Sequence, residues 1–165
     1  MHFESQTARL LHDEHLNTIS TMSRLEEFLS KYRPNKPPAF DEPAFKALLG
    51  PLRLLIANDA GRHFDFEENS LFPLLEDMGE MGITSLLRDE HHAIRSLTPN
   101  LQKSLSQFED GDISVWPEIC RLGNELAERQ IAHIQKETMA LLPMLEQLME
   151  ADMDSELSTE YAMSA

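Results

Sequence analysis

Two matched segments, His63-Phe64-Asp65-Phe66-Glu67 and His133-Ile134-Gln135-Lys136-Glu137, most constrain what this chain can become. Residues four apart share one face of a helix, separated by about 6 Å along its axis. Each segment therefore sets one imidazole beside one carboxylate. The surroundings match too: a proline stands ten residues after each His (Pro73, Pro143) and a glutamate thirteen after it (Glu76, Glu146). One His-x-x-x-Glu alone is a weak sign. Two in matched settings need a common cause, and a shared metal site is the simplest.

Apolar residues recur at helical spacing through most of the chain. From about Ser5 to Tyr32 they are Leu11, Ile19, Met22, Leu25, Phe28 and Leu29, and the run Arg33-Pro34-Asn35-Lys36-Pro37-Pro38 ends that helix. Asp41 is expected to cap a second helix, with Pro43 in its first turn. This helix carries Phe45, Leu48, Leu49, Leu52, Leu55 and Ile56 before His63 and Glu67, bends at Gly50-Pro51 and Phe72-Pro73, and stops near Met78-Gly79. A third runs from near Ile83 to Phe108, kinked at Pro99. Asp112 or Ser114 caps a fourth, with Pro117 in its first turn, which passes His133 and Glu137 and ends about Met149. No alternating strand pattern is present.

The first and third helices repeat as well. Leu10-Leu11-His12-Asp13-Glu14-His15 lies 76 residues before Leu86-Leu87-Arg88-Asp89-Glu90-His91, and five of the six positions are identical. The chain is thus two helical hairpins of one design, each with Asp-Glu-His on its first helix and His-x-x-x-Glu on its second. The expected fold is all-α: an antiparallel up-down-up-down four-helix bundle over residues 1–150. Residues 151–165 form an acidic C-terminal tail, frayed by its composition or docked as a short helix.

Together the hairpins supply His15, His63, Glu67, His91, His133 and Glu137. Imidazole nitrogens suit iron, zinc, copper or nickel, and carboxylates can bridge two metals. Six side chains are too many for one tetrahedral zinc and too few to saturate two six-coordinate metals. They fit a dinuclear site in which Glu67 and Glu137 both bridge and each metal takes two His, keeping positions open for a small ligand. The repeat pairs His12 with Arg88 and His92 with Leu16, so neither is a repeated position. His12, three residues before His15, is within reach as an additional ligand or an outer partner. His92 points about 100° away from His91, toward the surface, and His2 is a terminal residue. Asp13, Glu14, Asp89 and Glu90 read as solvated helix face, with one of each pair available to orient the neighbouring imidazole. Glu68 reads as a bystander.

Charge narrows the partners. The 29 acidic and 14 basic residues leave a formal charge of −15, which argues against nucleic acid and anionic membranes. One cysteine, Cys120, excludes a disulfide framework and a cysteine-based zinc site. The N-terminus lacks the basic and apolar regions of a secretory signal, and no apolar run spans a membrane, so a cytoplasmic protein is expected.

The ferritin-like carboxylate proteins use Glu-x-x-His, which this chain lacks. What it resembles is the hemerythrin-like family, the HHE cation-binding domain. The resemblance rests on Asp-Glu-His15, on His63-Phe-x-x-Glu67-Glu68-x-x-Leu71-Phe72-Pro73, on Asp-Glu-His91, and on His133-x-x-x-Glu137 followed by Leu142-Pro143. It covers all four helices, from Leu10 to Met149. It implies two iron ions bridged by oxo or hydroxo, held by His15, His63, Glu67, His91, His133 and Glu137. Zinc or another divalent metal can take the same ligands in purified protein. Oxygen-carrying members have a fifth His one turn after that of the third helix, and here the position is Arg95. The four-His, two-Glu set looks more like members linked to nitric oxide stress and iron-centre repair. Repair members usually add an N-terminal Cys-bearing domain, for which this chain has no room before its first helix.

Three roles fit these residues. The first is binding or sensing O2, NO or a related oxidant. The second is an enzyme or repair protein acting in NO reduction, peroxide turnover or iron donation. The third is a regulatory module that folds with its metal.

Overall fold

The computed structural model describes residues 1–164, the side chain of residue 60 excepted; Ala165, the last residue of the tail, lies outside it. The described residues contain helices and turns but no strand. Helix α1 spans Gln6–Lys31, and α2 spans Pro43–Asn58. A widened π-type turn at Asp59–His63 leads into α3 (Phe64–Phe66), and a second at Glu67–Leu71 into α4 (Phe72–Asp77). Helix α5 spans Met81–Glu109. A 3-10 turn at Ile113–Val115 precedes α6 (Trp116–Lys136). A third widened turn, Glu137–Leu141, joins it to α7 (Leu142–Leu148), and α8 spans Ala151–Met163. No helix among the described residues is long and apolar enough to cross a membrane.

The ends follow local chemistry. Ser5 caps α1, its Oγ accepting from the Ala8 amide at 3.1 Å. Asp112 Oδ1 accepts from the Ser114 amide at 3.0 Å, so the aspartate caps the fourth segment. Gly79 and Gly111 follow α4 and α5 with φ of 91° and 98°, the left-handed conformation that closes a helix end. Asp41 does not cap α2: Glu42 holds that position without a side-chain bond, and Pro43 starts the helix unaided. Helix α5 runs unbroken through Pro99.

The widened turns repeat at the same spacing as the sequence. The Phe72 amide donates to the Glu67 carbonyl and the Leu142 amide to the Glu137 carbonyl, five residues back in each case. The next residues are Pro73 and Pro143. Proline has no N–H, and its ring collides with the carbonyl four residues earlier in a regular helix. Widening the turn moves that carbonyl aside and lets the helix continue.

Helix α1 packs against α2, α6 and α8, and α5 packs against α4 and α6. Two apolar clusters form the core. One is centred on Phe28, Phe45, Phe108 and Trp116, whose rings meet at 4.8–6.1 Å with their neighbours. The other holds Leu11, Leu71, Phe72, Leu75, Leu87, Leu142 and Tyr161. On α1, on α5 and on the α6–α7 segment the predicted metal-site residues fall between the stretches that feed these clusters, and on the second segment His63 and Glu67 flank their boundary at Phe64 and Phe66.

The tail is folded. Its helix α8 buries Asp154, Ser158 and Tyr161. The Asp154 carboxylate accepts from Ser5 Oγ at 2.7 Å and from the Gln6 and Thr7 amides at 2.7 and 2.9 Å. It satisfies amides at the start of α1 that have no partner within the helix.

Candidate metal centre

The structure brings the six predicted residues together, all of them buried. His15 comes from α1, His91 from α5 and His133 from α6; His63 closes the first widened turn, and Glu67 and Glu137 each open one.

Their ligating atoms sort into two sets. His15, His63, Glu67 and Glu137 form one, and His91, His133, Glu67 and Glu137 the other, with atoms within 4.8 Å of one another in each. In the first set, His63 Nε2 lies 3.0 Å from Glu67 Oε1 and His15 Nε2 lies 2.9 Å from Glu137 Oε2. In the second, His91 Nε2 lies 3.1 Å from Glu67 Oε2 and His133 Nε2 lies 2.8 Å from Glu137 Oε1. The two imidazoles of the second set stand 3.0 Å apart, Nε2 to Nε2. Adjacent donors of an octahedral metal with bonds of about 2.1 Å are about 3.0 Å apart, so the spacing fits a metal ion. Each carboxylate sends one oxygen to each set, and each hairpin supplies the imidazoles of one set.

Each imidazole is also held at its other nitrogen. His63 Nδ1 meets Glu14 at 2.7 Å, His133 Nδ1 meets Glu90 at 2.8 Å, His91 Nδ1 meets Glu68 at 2.7 Å and His15 Nδ1 meets Thr138 Oγ1 at 3.2 Å. Such contacts fix the ring and leave Nε2 to face Glu67 and Glu137, where a metal would sit. Glu68 is therefore no bystander. Glu14 and Glu90 do orient imidazoles, but on the next helix rather than beside them in sequence, because successive side chains diverge by about 100°.

Electrostatics show what the layer lacks. With neutral imidazoles, both oxygens of Glu67 and of Glu137 are buried without a hydrogen-bond donor. Burying two carboxylates this way is costly unless positive charge joins them. Without metal, that charge is a proton. Burial acts to lower the pKa of His133, but Glu137, Glu90 and Glu67 outweigh it and hold the ring up to about 10. His63 and His91 are raised in the same way against burial, His63 by Glu67 and Glu14, His91 by Glu137 and Glu67. Burial pushes Glu137 up, yet His133, His15 and His91 bring it well below its ordinary value. Metal ions would supply the same charge, and the donor set of imidazoles and carboxylates suits iron.

The remaining candidates lie elsewhere. His12 is outside both sets; its ring sits edge-on to Phe3 with centroids 5.4 Å apart. His2 and His92 are exposed. Arg95, where a fifth His would stand, reaches Asp65 at 2.7 Å and Glu68 at 3.3 Å. Sequence reasoning gave no role to Thr138 or Tyr161. Thr138 had a signal, since it occupies the position of Glu68 in the second hairpin. Tyr161 had none, as it lies outside the repeat.

A search of curated proteins returns no match. The family model described as the hemerythrin HHE cation binding domain matches residues 6–145, most of the chain and all six gathered residues. With the same residues forming two metal-sized clusters in an all-helical fold, the chain belongs to the hemerythrin HHE cation-binding family.

Proposed function

We propose that the chain is a non-heme diiron protein that binds or senses a small ligand, O2, NO or a related oxidant, at a dinuclear site bridged by Glu67 and Glu137. One observation carries the reading: each carboxylate divides its oxygens between two sets of donors that share no imidazole. The scaffold we infer is the antiparallel up-down-up-down four-helix bundle, with residues 151–165 as an appended element. Supporting it, the Ser5 amide meets Glu146, His15 meets Glu137, and Leu29 packs on Gly123, so α1 residues rise as those of the fourth segment fall.

The residues divide the work. His15 and His63 would hold one metal position, and His91 and His133 the other. Glu14, Glu68, Glu90 and Thr138 fix the imidazoles so that Nε2 faces inward. Phe64 stacks on His91 at 3.8 Å and Phe72 lies 5.7 Å from it, walling water from that side. Four protein donors per position leave coordination sites for an exogenous ligand, and bound iron would supply Lewis acidity and electron transfer there.

Arg95 favours a second reading. Its guanidinium is engaged with Asp65 and Glu68, so no fifth imidazole occupies that position. The added open site suits turnover: NO reduction, peroxide turnover or iron-centre repair.

Anaerobic loading with Fe(II), elemental analysis and an optical spectrum test the proposal. Two irons per chain and new visible absorption on adding O2 or NO are expected, with iron content falling in Glu137→Ala and His63→Ala. Iron that leaves both variants unchanged, or a spectrum indifferent to O2 and NO, would overturn it. Multiple turnovers with NO or peroxide would favour the enzymatic reading.

A further inference from the structure

The two halves of the site are built alike except at one corner. In the His91–His133 half both imidazoles lean on carboxylates, Glu68 and Glu90. In the other half His15 leans on the neutral hydroxyl of Thr138, so Glu14 on His63 is the sole carboxylate there. That corner receives a further group. The Tyr161 hydroxyl, from α8, lies 3.1 Å from His63 Nδ1 and hydrogen-bonds the same Glu14 oxygen, Oε2. Tyr161 is buried, although it stands beyond the residues that match the family.

The corner is built to hold it. The Tyr161 ring stacks on Phe66 with centroids 4.5 Å apart, and the Arg62 guanidinium lies 3.8 Å from the ring centroid. Arg62 also donates to the Tyr161 carbonyl at 3.0 Å and to Glu14 Oε1 at 3.0 Å. One oxygen of Glu14 is thus held by Arg62, and the other is shared between the tyrosine hydroxyl, His63 and, at 3.4 Å, Asn58 Nδ2. At the far end of α8, Asp154 ties the helix to the start of α1.

We propose that α8 is a latch on one of the two metal positions. Tyr161 is a positioning residue: its hydroxyl keeps Glu14 turned toward His63, so that filling of the His15–His63 position, and not of the His91–His133 position, depends on the C-terminal helix. The inference rests on the dinuclear reading above. Its physical basis is that a histidine ligand is oriented and made more basic by the acceptor at its other nitrogen; losing such an outer partner typically costs about 10- to 100-fold in metal affinity. Glu14 is half-buried, and once the hydroxyl is gone its Oε2 keeps only His63 and the longer contact from Asn58. His15 cannot compensate, because Thr138 brings no negative charge. Displacing α8 would then loosen one metal and leave its neighbour in place.

The test is full-length Tyr161→Phe, which keeps the ring between Phe66 and Arg62 and removes the hydroxyl alone. Anaerobic titration with Fe(II) should show two ions bound to the wild type. In the variant one step should weaken about tenfold or more and the other stay unchanged. In the Co(II) form, the shifted ring N–H resonance of His63 should move while those of His91 and His133 stay in place. Glu90→Gln, the mirror change, should weaken the other step. Two wild-type steps in Tyr161→Phe would overturn the latch, and so would equal weakening of both with a lower melting temperature of the metal-free variant, the mark of a general packing role. Fewer than two ions on the wild type would overturn the dinuclear reading itself.

Discussion

Asp59 is the most telling single residue outside the six clustered side chains. It is buried near His63, and Gln130 Nε2 donates to its Oδ2 at 2.7 Å. Burial raises its pKa to about 6, against the opposing pull of His63 and Gln130. A carboxyl raised from an ordinary value of about 3.9 binds its proton more tightly when folded, so the metal-free protein loses stability as pH rises between the two values. Asp59→Asn keeps an acceptor for Gln130 and removes the charge. The variant should therefore be more stable than wild type at pH 7, by about 1–3 kcal/mol, and the gap should close toward pH 4. Urea melts of the metal-free proteins at the two pH values measure it, and a pH-independent gap would contradict it. At this scale the sequence was legible only where it repeats. His15, His63, Glu67, His91, His133 and Glu137 declared themselves by recurring. Glu14 and Glu90 recur as well and were readable as orienting groups, but the rings they hold were not, and Glu68, matched by Thr138, does not recur; each acts across a helix boundary, and spacing along one helix is silent about the ring it meets on another.

Among the elements, the widened turns show how local chemistry shapes the site. Pro73 was readable as a bend, and Pro143 stands at the matched place in the repeat without having been read as one. That each of these prolines follows a five-residue turn opened by Glu67 or Glu137 was not readable, since apolar periodicity resumes after a π turn much as after a kink. A docked helix was one of two readings open for residues 151–165, and composition could not choose it over a frayed tail. The acidic face of α8 dominates the composition, while its anchors are one aspartate and one tyrosine. Asp154 carries much of that docking through three bonds to the start of α1. Asp154→Ala strands the amides of Gln6 and Thr7 and removes a negative charge from a helix N-terminus, a loss of about 1–2 kcal/mol. Thermal unfolding should show that loss, and limited proteolysis should cut near Met149 and Glu150, between α7 and α8. Unchanged cleavage there would mean that Tyr161 and Ser158 hold the helix without Asp154.

For the whole molecule, a charged layer lies along every long segment between two apolar clusters, and its stability is tied to protons and metal alike. The metal-free layer pairs protonated His63, His91 and His133 with ionised Glu67 and Glu137. The histidines are raised above an unfolded value of about 6.5, so their stabilisation is complete below that pH and is lost as pH rises through the folded values, about 10 for His133. The glutamates are lowered, so theirs is present above about 4.3 and is lost as pH falls through the folded values. By these groups the metal-free protein should melt highest between about pH 4.3 and pH 6.5 and lower on both sides. Metal ions need the imidazoles neutral, so loading at pH 7 must expel up to three protons, one from each raised histidine. Calorimetric titration in two buffers of different ionisation enthalpy reads that number directly. From pH 7 to pH 10 the metal-free protein loses its imidazolium pairs while the loaded protein has none to lose, so the melting-temperature gap between the two should widen steadily. A gap that stays constant, with a heat of binding indifferent to buffer, would mean that no proton leaves on loading, so that the imidazoles are already neutral and Glu67 and Glu137 already ionised before metal arrives.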